Sequence, residues 1–179
     1  MEDHKKRLTP LPAERWDEQV VGAMAVMLPQ WRRNPRLAGN ALSTLARHPD
    51  LTAAFLAFNK HLLLHNTVPP RLRELAVLRI ARRRDCAYEW DHHVRSAAKL
   101  GLSEAEIEAA ADGKATGELE TAVLCAVDEL DVDSRLSDAT WATLCAHLDE
   151  HQQLDLVFTI TSYYMLAMAF NALGVESDH

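Results

Sequence analysis

Ionisable side chains share one face of a predicted helix over residues 86–100. On a helical wheel that advances about 100° per residue, Cys86, Glu89 and His93 fall on the same face, among apolar neighbours. Burying an ionisable group without a partner is costly, so this face predicts internal pairing. Glu89 and His93 are four residues apart and can meet on the helix surface. The pair is a candidate general acid–base couple, and a purely structural Glu–His pair fits the same spacing.

Glu74 is a second candidate carboxylate, on the preceding helix. Apolar residues follow it at the third, fourth and seventh positions, at Val77, Leu78 and Ala81. This spacing places Glu74 on an apolar strip and predicts that it is buried. The alternative is a surface salt bridge between Glu74 and Arg71.

Three further side chains are candidates for binding a substrate. Arg79 lies on the opposite strip of the Glu74 helix, where its guanidinium can anchor a carboxylate of a substrate or partner. Trp90 lies on the acid–base face and Tyr88 on the other face of the helix, and both are expected to shape a pocket. His92 falls on the outer face of the same helix, so His93 is the preferred catalytic histidine.

Four stretches carry a resemblance to a known family. They are Arg-Glu-Leu-Ala-Val-Leu-Arg at 73–79, Cys-Ala-Tyr-Glu-Trp-Asp-His-His at 86–93, Ala97, and Gly-Leu-Ser-Glu-Ala-Glu-Ile at 101–107. Together they resemble the carboxymuconolactone decarboxylase family, which shares its all-helical fold with the alkylhydroperoxidase AhpD. The similar core covers about residues 69–129.

The resemblance separates two chemistries. In the peroxidase branch, a Cys-x-x-Cys pair works with an upstream glutamate and a downstream histidine. The resemblance places Cys86 at the position of the first cysteine, Glu74 at that of the glutamate and His93 at that of the histidine. The position of the second cysteine is occupied by Glu89. A carboxylate cannot form the disulfide that a dithiol cycle needs. The sequence is therefore similar to the decarboxylase-like branch.

That branch implies cofactor-free acid–base chemistry, such as decarboxylation, on a small organic acid or lactone. Glu74 or Glu89 would donate a proton and His93 would exchange it. Relatives form homo-oligomers, so the resemblance also implies a trimer or hexamer. Two alternatives stay open: a redox protein that uses Cys86 with an external thiol, and a non-catalytic relative whose polar trio only fixes helix packing.

A metal site is not expected. Glu89 and His92 form a Glu-x-x-His motif, but a di-iron bundle needs a second copy and two more glutamates. His61 and His65, four residues apart at a predicted helix end, lack a third ligand and are interpreted as surface histidines.

Composition excludes several classes of protein. With 48% hydrophobic and 25% charged residues, the chain is too apolar for wholesale disorder. A net charge of −7 argues against binding to duplex nucleic acid. The three cysteines do not suit a disulfide scaffold, and Cys125 and Cys145 are predicted in the core. Since neither a signal peptide nor a membrane span is recognised, a cytoplasmic location is expected; the apolar stretch 157–173 is interpreted as a core helix.

The whole chain reads as one all-α domain, residues 1–179, with a loose tail over 1–6. Helices are predicted at 12–29, 36–47, 50–65, 70–84, 86–100, 103–112, 117–131, 137–149 and 151–173. Helix starts are expected at Asp50, Pro70 and Ser103, and a helix stop at Gly101. Core or subunit contacts are assigned to seven aromatic residues: Trp16, Trp31, Phe55, Phe58, Trp141, Phe158 and Phe170. Of Tyr163 and Tyr164, which point in different directions, one is expected at the pocket or an interface.

Overall fold

A computed structural model describes residues 6–178, and within this range the chain is all-helical with no strand. Nine α-helices follow one another: α1 Glu18–Met24, α2 Pro35–Leu45, α3 Pro49–Lys60, α4 Pro70–Arg83, α5 Ala87–Lys99, α6 Glu104–Ala111, α7 Glu118–Asp133, α8 Asp138–His147 and α9 Glu150–Leu173. Short 3-10 turns occupy Ala13–Arg15 and Gln30–Arg32, and a π-helical turn His61–His65 continues α3. The predicted all-α class is confirmed.

The described residues divide into two compact units. One comprises the residues up to Asn66 together with those from Phe170 onward, and the other is Thr67–Ala169. The expectation of a single domain over residues 1–179 stays a prediction. The predicted tail over residues 1–6 lies outside the described residues, except for Lys6, whose ammonium forms a 2.6 Å ion pair with Glu176.

In the first unit, the predicted helix over 12–29 is interrupted. The side chain of Asp17 accepts a hydrogen bond from the Val20 N–H, so α1 begins only at Glu18. The prediction that Asp50 caps α3 is wrong, because the ring of His48 accepts the Leu51 N–H instead. The buried side chains of this unit form one cluster: Leu11, Val20, Met24, Leu28, Ala38, Ala46 and Leu56, with Trp16 and Phe55 packed against it.

In the second unit, α4 is the central helix and packs against α5, α6 and α7. It begins at Pro70 as predicted, where a missing N–H costs no helical hydrogen bond. The predicted capping box of α6 is confirmed, with Ser103 and Glu106 bonded reciprocally. Gly101 adopts a φ of 87° after α5, as expected for a helix stop.

Helix α9 is long and apolar enough to cross a membrane by length and composition, alone among the helices of residues 6–178. Half of its most apolar window is buried inside the protein. The buried residues of its Thr67–Ala169 part include Leu156, Ile160, Tyr163 and Ala167, which agrees with the interpretation of a core helix.

Two groups of core predictions need correction. Cys125 and Cys145 are exposed rather than buried, since each lies on the outward face of its helix. The aromatic side chains of Trp31, Trp141 and Phe158 are 67%, 41% and 51% exposed, and Phe58 is also exposed, so these four are not core residues of the single chain. Their assignment to subunit contacts stays a prediction.

Candidate functional site

His93 bridges two buried carboxylates. Its Nδ1 lies 2.7 Å from Glu74 Oε2 on α4, and its Nε2 lies 3.3 Å from Glu89 Oε2 one turn earlier on α5. The three side chains are only 13%, 7% and 6% exposed. The predicted burial of Glu74 and the predicted Glu89–His93 pair are therefore confirmed. The alternative partner of Glu74 is wrong, because Arg71 binds Glu106 and Glu120 instead.

The turn between α4 and α5 brings these residues together. Asp85 adopts a φ of 47°, and the Cys86 N–H donates to the Ala81 carbonyl at 3.0 Å. This left-handed ending with a bond across the last turn reverses the chain direction after a helix. As a result α5 packs along α4, which places His93 against Glu74 although Glu74 precedes the turn by about three helical turns.

The two carboxylates hold the proton of His93. Burial opposes the charged imidazole, but hydrogen bonds and charge from Glu74 and Glu89 outweigh it and raise the pKa of His93 to about 9. At neutral pH His93 is thus an imidazolium that donates to both carboxylates. The arrangement stores an exchangeable proton between two acceptors, as an acid–base relay requires.

Tyr163 on α9 completes the enclosure of His93. The two rings meet edge to face, with centroids 5.1 Å apart and planes at 88°. Burial, followed by the charges of Glu89 and Glu74, raises the pKa of Tyr163, so its phenol stays neutral. Tyr164 points elsewhere and donates its hydroxyl to the Val127 carbonyl at 3.1 Å. The expectation that one of the two tyrosines lies at the pocket or an interface stays a prediction.

Cys86 occupies the N-cap position of α5 and is one of the residues that line a cleft of about 190 Å³. Cys86 is only 1% exposed to solvent. Burial raises the pKa of the Cys86 thiol to about 11. The charge of Glu89 raises this pKa further, whereas hydrogen bonds from the backbone N–H groups of Glu89 and Tyr88 lower it. The resting thiol is therefore neutral, and Glu89 is close enough to influence it.

Two of the predicted binding residues lie beside this cleft or near it. Trp90 lines the cleft, and the guanidinium of Arg82 sits 4.4 Å from the centroid of the Trp90 ring. Tyr88 packs its ring against His92, with centroids 4.4 Å apart. Arg82 lies in the last turn of α4, where a basic residue usually complements the helix dipole.

Arg79, the third predicted binding residue, has partners within the protein. Its Nε and Nη2 donate to the two carboxylate oxygens of Asp128 at 2.8 and 3.0 Å, and its Nη1 donates to the Ala111 carbonyl at 2.6 Å. Gly113, at a φ of 78°, leaves room for this guanidinium, since a Cβ there would lie 3.1 Å from Arg79 Cζ. These contacts tie α4 to α6 and α7 and do not include the Glu74–His93 pair. An anchoring role for Arg79 stays a prediction.

Within residues 6–178, no group of three or more His, Cys, Asp or Glu side chains is arranged to hold a metal ion. His61 and His65 are exposed in the π-helical turn, as predicted.

Several solved structures share the fold. A protein of unknown function from Agrobacterium tumefaciens, described as a putative antioxidant defence protein AhpD, is 21% identical with a TM-score of 0.67 over 74% of this chain and 94% of its own. An uncharacterised peroxidase-related protein with an AhpD core from Ralstonia eutropha JMP134 is 19% identical, with a TM-score of 0.72; the match covers 96% of this chain and 93% of that protein. The debrominase Bmp8 is 19% identical, with a TM-score of 0.72; the match covers 98% of this chain and 94% of Bmp8.

The sequence has no significant match among curated proteins. The model of the carboxymuconolactone decarboxylase family matches residues 49–129, a segment that contains Glu74, Cys86, Glu89 and His93. Residues 49–129 are thus similar to the carboxymuconolactone decarboxylase family, and the chain has an AhpD-like helical fold.

Proposed function

We propose that this protein is a cofactor-free carboxy-lyase-like enzyme that transfers protons to a small organic acid or lactone, with decarboxylation as the expected reaction. The observation that carries the proposal is the bridging position of His93 between the buried carboxylates of Glu74 and Glu89. The family match supports it, because the segment that matches includes this cluster.

The three residues of the cluster have different roles in this proposal. The charge of Glu89 acts on Cys86, a residue of the cleft lining, so in this proposal Glu89 is the carboxylate that exchanges protons with the substrate. His93 passes the proton to Glu89 through its Nε2. Glu74 stays bonded to Nδ1 and keeps the imidazole oriented and charged.

In a decarboxylation the bond between the carboxylate carbon and the adjacent carbon breaks, and carbon dioxide leaves. The electron pair stays on the adjacent carbon, where conjugation with an unsaturated lactone spreads the charge. Glu89, resupplied by His93, then protonates that carbon, and solvent returns the proton to the cluster. The reaction consumes one proton and needs no oxidant or reductant.

The test is a proton-exchange and carbon dioxide release assay on a panel of unsaturated lactone acids and their neutral lactones. Glu89→Gln and His93→Ala are expected to lower kcat at least 100-fold, in line with loss of a general acid. His147→Ala is the matched control, because His147 also pairs with a glutamate, Glu118, at 3.4 Å but on an exposed surface. Retention of full turnover by both cluster variants would rule out the proposed couple.

A second candidate function is thiol-dependent reduction at Cys86. It is favoured by the position of Cys86 at the first turn of α5, where backbone N–H groups stabilise a thiolate, and by its place in the cleft. The structure of a cysteine-to-alanine variant of the debrominase Bmp8, which is 18% identical to this chain, contains bound 2,3,4-tribromopyrrole. A protein with a similar fold therefore binds a small ring compound.

In this second function the Cys86 thiolate would attack a peroxide oxygen, which breaks the O–O bond and gives a sulfenic acid and an alcohol. One external thiol would then condense with the sulfenic acid to a mixed disulfide and water, and a second external thiol would release the Cys86 thiol and leave as the external disulfide. Peroxide consumption that requires an added thiol, disappears in Cys86→Ser and survives in Glu89→Gln would favour it over proton transfer. The raised pKa of Cys86 argues against it at neutral pH.

A further inference from the structure

Tyr163 is a buried residue whose hydroxyl the proposed proton relay does not use. It lies on α9 and is only 5% exposed. Within residues 6–178 its hydroxyl forms no hydrogen bond, and it is not one of the buried polar atoms that are sealed from solvent without a partner. The oxygen therefore keeps contact with solvent-accessible space, although the ring is enclosed. A polar group in such a place needs an explanation, because nearly all buried hydroxyls have a partner.

The next residue, Tyr164, shows how a structural tyrosine is satisfied in the same helix. Tyr164 is 6% exposed, and its hydroxyl donates to the Val127 carbonyl at 3.1 Å. Buried tyrosines usually find such a partner. The two adjacent tyrosines are therefore equally buried but differ in their hydroxyl groups, since that of Tyr163 has no acceptor among the described residues. The Tyr163 hydroxyl is free to bind a ligand.

The phenol of Tyr163 belongs to the surroundings of the acid–base cluster. Its ring meets the His93 ring edge to face, with the two centroids 5.1 Å apart. Burial raises the pKa of Tyr163, the charges of Glu89 and Glu74 raise it further, and the charge of Arg73 lowers it. The phenol is therefore protonated at neutral pH, so it can donate a hydrogen bond but does not act as a base.

The other polar groups of the cluster already have partners. The Nδ1 of His93 lies 2.7 Å from Glu74 Oε2, and its Nε2 lies 3.3 Å from Glu89 Oε2. Both N–H groups of the imidazolium thus have an acceptor, and ionised carboxylates offer no donor. The hydroxyl of Tyr163 is consequently the donor that remains for an oxygen atom of a substrate beside His93.

Decarboxylation of an unsaturated lactone acid needs such a donor. When carbon dioxide leaves, the electron pair of the broken carbon–carbon bond spreads through the conjugated ring onto the lactone carbonyl oxygen. A hydrogen bond to that oxygen is stronger in the transition state than in the ground state and therefore raises kcat. The charges around the phenol do not oppose a negative oxygen, because the carboxylates of Glu74 and Glu89 are balanced by the imidazolium of His93 and the guanidinium of Arg73.

We propose that the hydroxyl of Tyr163 donates a hydrogen bond to the carbonyl oxygen of a conjugated lactone and stabilises the negative charge that forms there. The phenol keeps its own proton throughout. When Glu89 protonates the ring carbon, the delocalised electron pair forms the new C–H bond and the carbonyl group forms again. The substrate is then an acid conjugated to a lactone carbonyl or an equivalent carbonyl, rather than a saturated acid. The inference rests on the proposed function and adds Tyr163 to its catalytic residues.

The first test compares Tyr163→Phe with Tyr164→Phe in turnover of a lactone acid and in urea unfolding. Tyr163→Phe keeps the ring against His93 and is expected to lower kcat about 100-fold, to change KM less than about threefold, and to leave the unfolding midpoint unchanged. Tyr164→Phe, the matched control, is expected to keep kcat and to lower the midpoint, because it removes a buried hydrogen bond. An unchanged kcat in Tyr163→Phe, or an equal loss in both variants, would overturn the proposal.

The second test measures binding and does not need turnover. The probe is tetronate, the anion of a hydroxylated unsaturated lactone, because it carries its negative charge on oxygen atoms conjugated with the ring. In titration calorimetry Tyr163→Phe is expected to bind tetronate about 10-fold more weakly than the parent protein, and Tyr164→Phe as tightly as the parent. Equal affinity of Tyr163→Phe and the parent, or no binding to the parent, would refute the role of Tyr163. Binding that requires Tyr163, without carbon dioxide release from any lactone acid, would support the donor and contradict the proposed decarboxylation.

Discussion

Glu74 Oε2 and His93 Nδ1 lie 2.7 Å apart, although the two residues are 19 positions apart in the sequence and belong to different helices. This contact is shorter than the 3.3 Å between His93 Nε2 and Glu89, which is a neighbour one turn away on the same helix. The contact between helices therefore holds the imidazolium more closely than the contact within α5. In the proposed function Glu74 orients His93, and Glu89 is the carboxylate that takes the proton from it.

The first prediction concerns the proton on His93. Glu74→Gln removes a charged acceptor and is expected to lower the pKa of His93 from about 9, because one favourable charge is lost while the burial remains. Imidazole nitrogen chemical shifts followed by NMR across pH 5–10 measure the change. Glu118→Gln, which alters the exposed pair with His147, serves as the control. An unchanged His93 titration in Glu74→Gln would show that Glu74 does not hold this proton.

The second prediction concerns stability and pH. The pKa of His93 is about 9 in the folded protein and about 6.5 when unfolded, so the folded state binds the proton more tightly. The resulting stabilisation is complete below about pH 6.5 and is lost as the pH rises through 9; its upper limit is about 3 kcal/mol.

Urea unfolding at pH 6, 7.5 and 9.5 measures this dependence. His93→Gln is expected to lack the component that disappears between pH 6.5 and 9, while it keeps the contributions of the other titrating groups. Parallel stability profiles of the two proteins would contradict the assigned pKa.

The third prediction concerns thiol reactivity. With a pKa of about 11, Cys86 has about 100-fold less thiolate at neutral pH than a thiol of pKa 9.0. Alkylation by iodoacetamide at pH 7.5, followed by mass spectrometry, is expected to modify the exposed Cys145 first and Cys86 last. Modification of Cys86 as fast as Cys145 would favour the thiol-dependent function.

The fourth prediction concerns Arg79. Loss of its bidentate contact with Asp128 is expected to lower the free energy of unfolding by about 2 kcal/mol in Arg79→Ala. The value is below that of a fully buried pair, because the Asp128 side chain is 36% exposed. A double-mutant cycle with Asp128→Ala measures the coupling. A cycle without coupling would mean that the ion pair does not stabilise the fold.

Local features of the site could be predicted from the sequence. The i,i+4 relation of Glu89 and His93, the proline start of α4 and the capping box of α6 depend on residues within a few positions of one another. Helix geometry alone places such residues on one face or at one end, so their predictions were confirmed.

The helix prediction for the first 30 residues was less accurate, because local hydrogen bonds compete with apolar periodicity there. Apolar periodicity favoured one long helix over 12–29, but the local hydrogen bond of Asp17 to the Val20 N–H starts α1 later and competes with that helix. The exposure of Cys125 and Cys145 also could not be read from their apolar neighbours, because nearly apolar helices offer two plausible inner faces.

By itself, then, the sequence determined the all-helical class, most helix boundaries and the helix faces that carry Glu74, Glu89 and His93. Only the tertiary structure decided that Glu74 binds His93 rather than Arg71, that Arg79 binds Asp128, and that Tyr163 covers the imidazole. These contacts join residues on different helices. Their formation depends on the turn at Asp85 and on the packing of α4, α5, α7 and α9. The residue periodicity of a single helix carries no information about either.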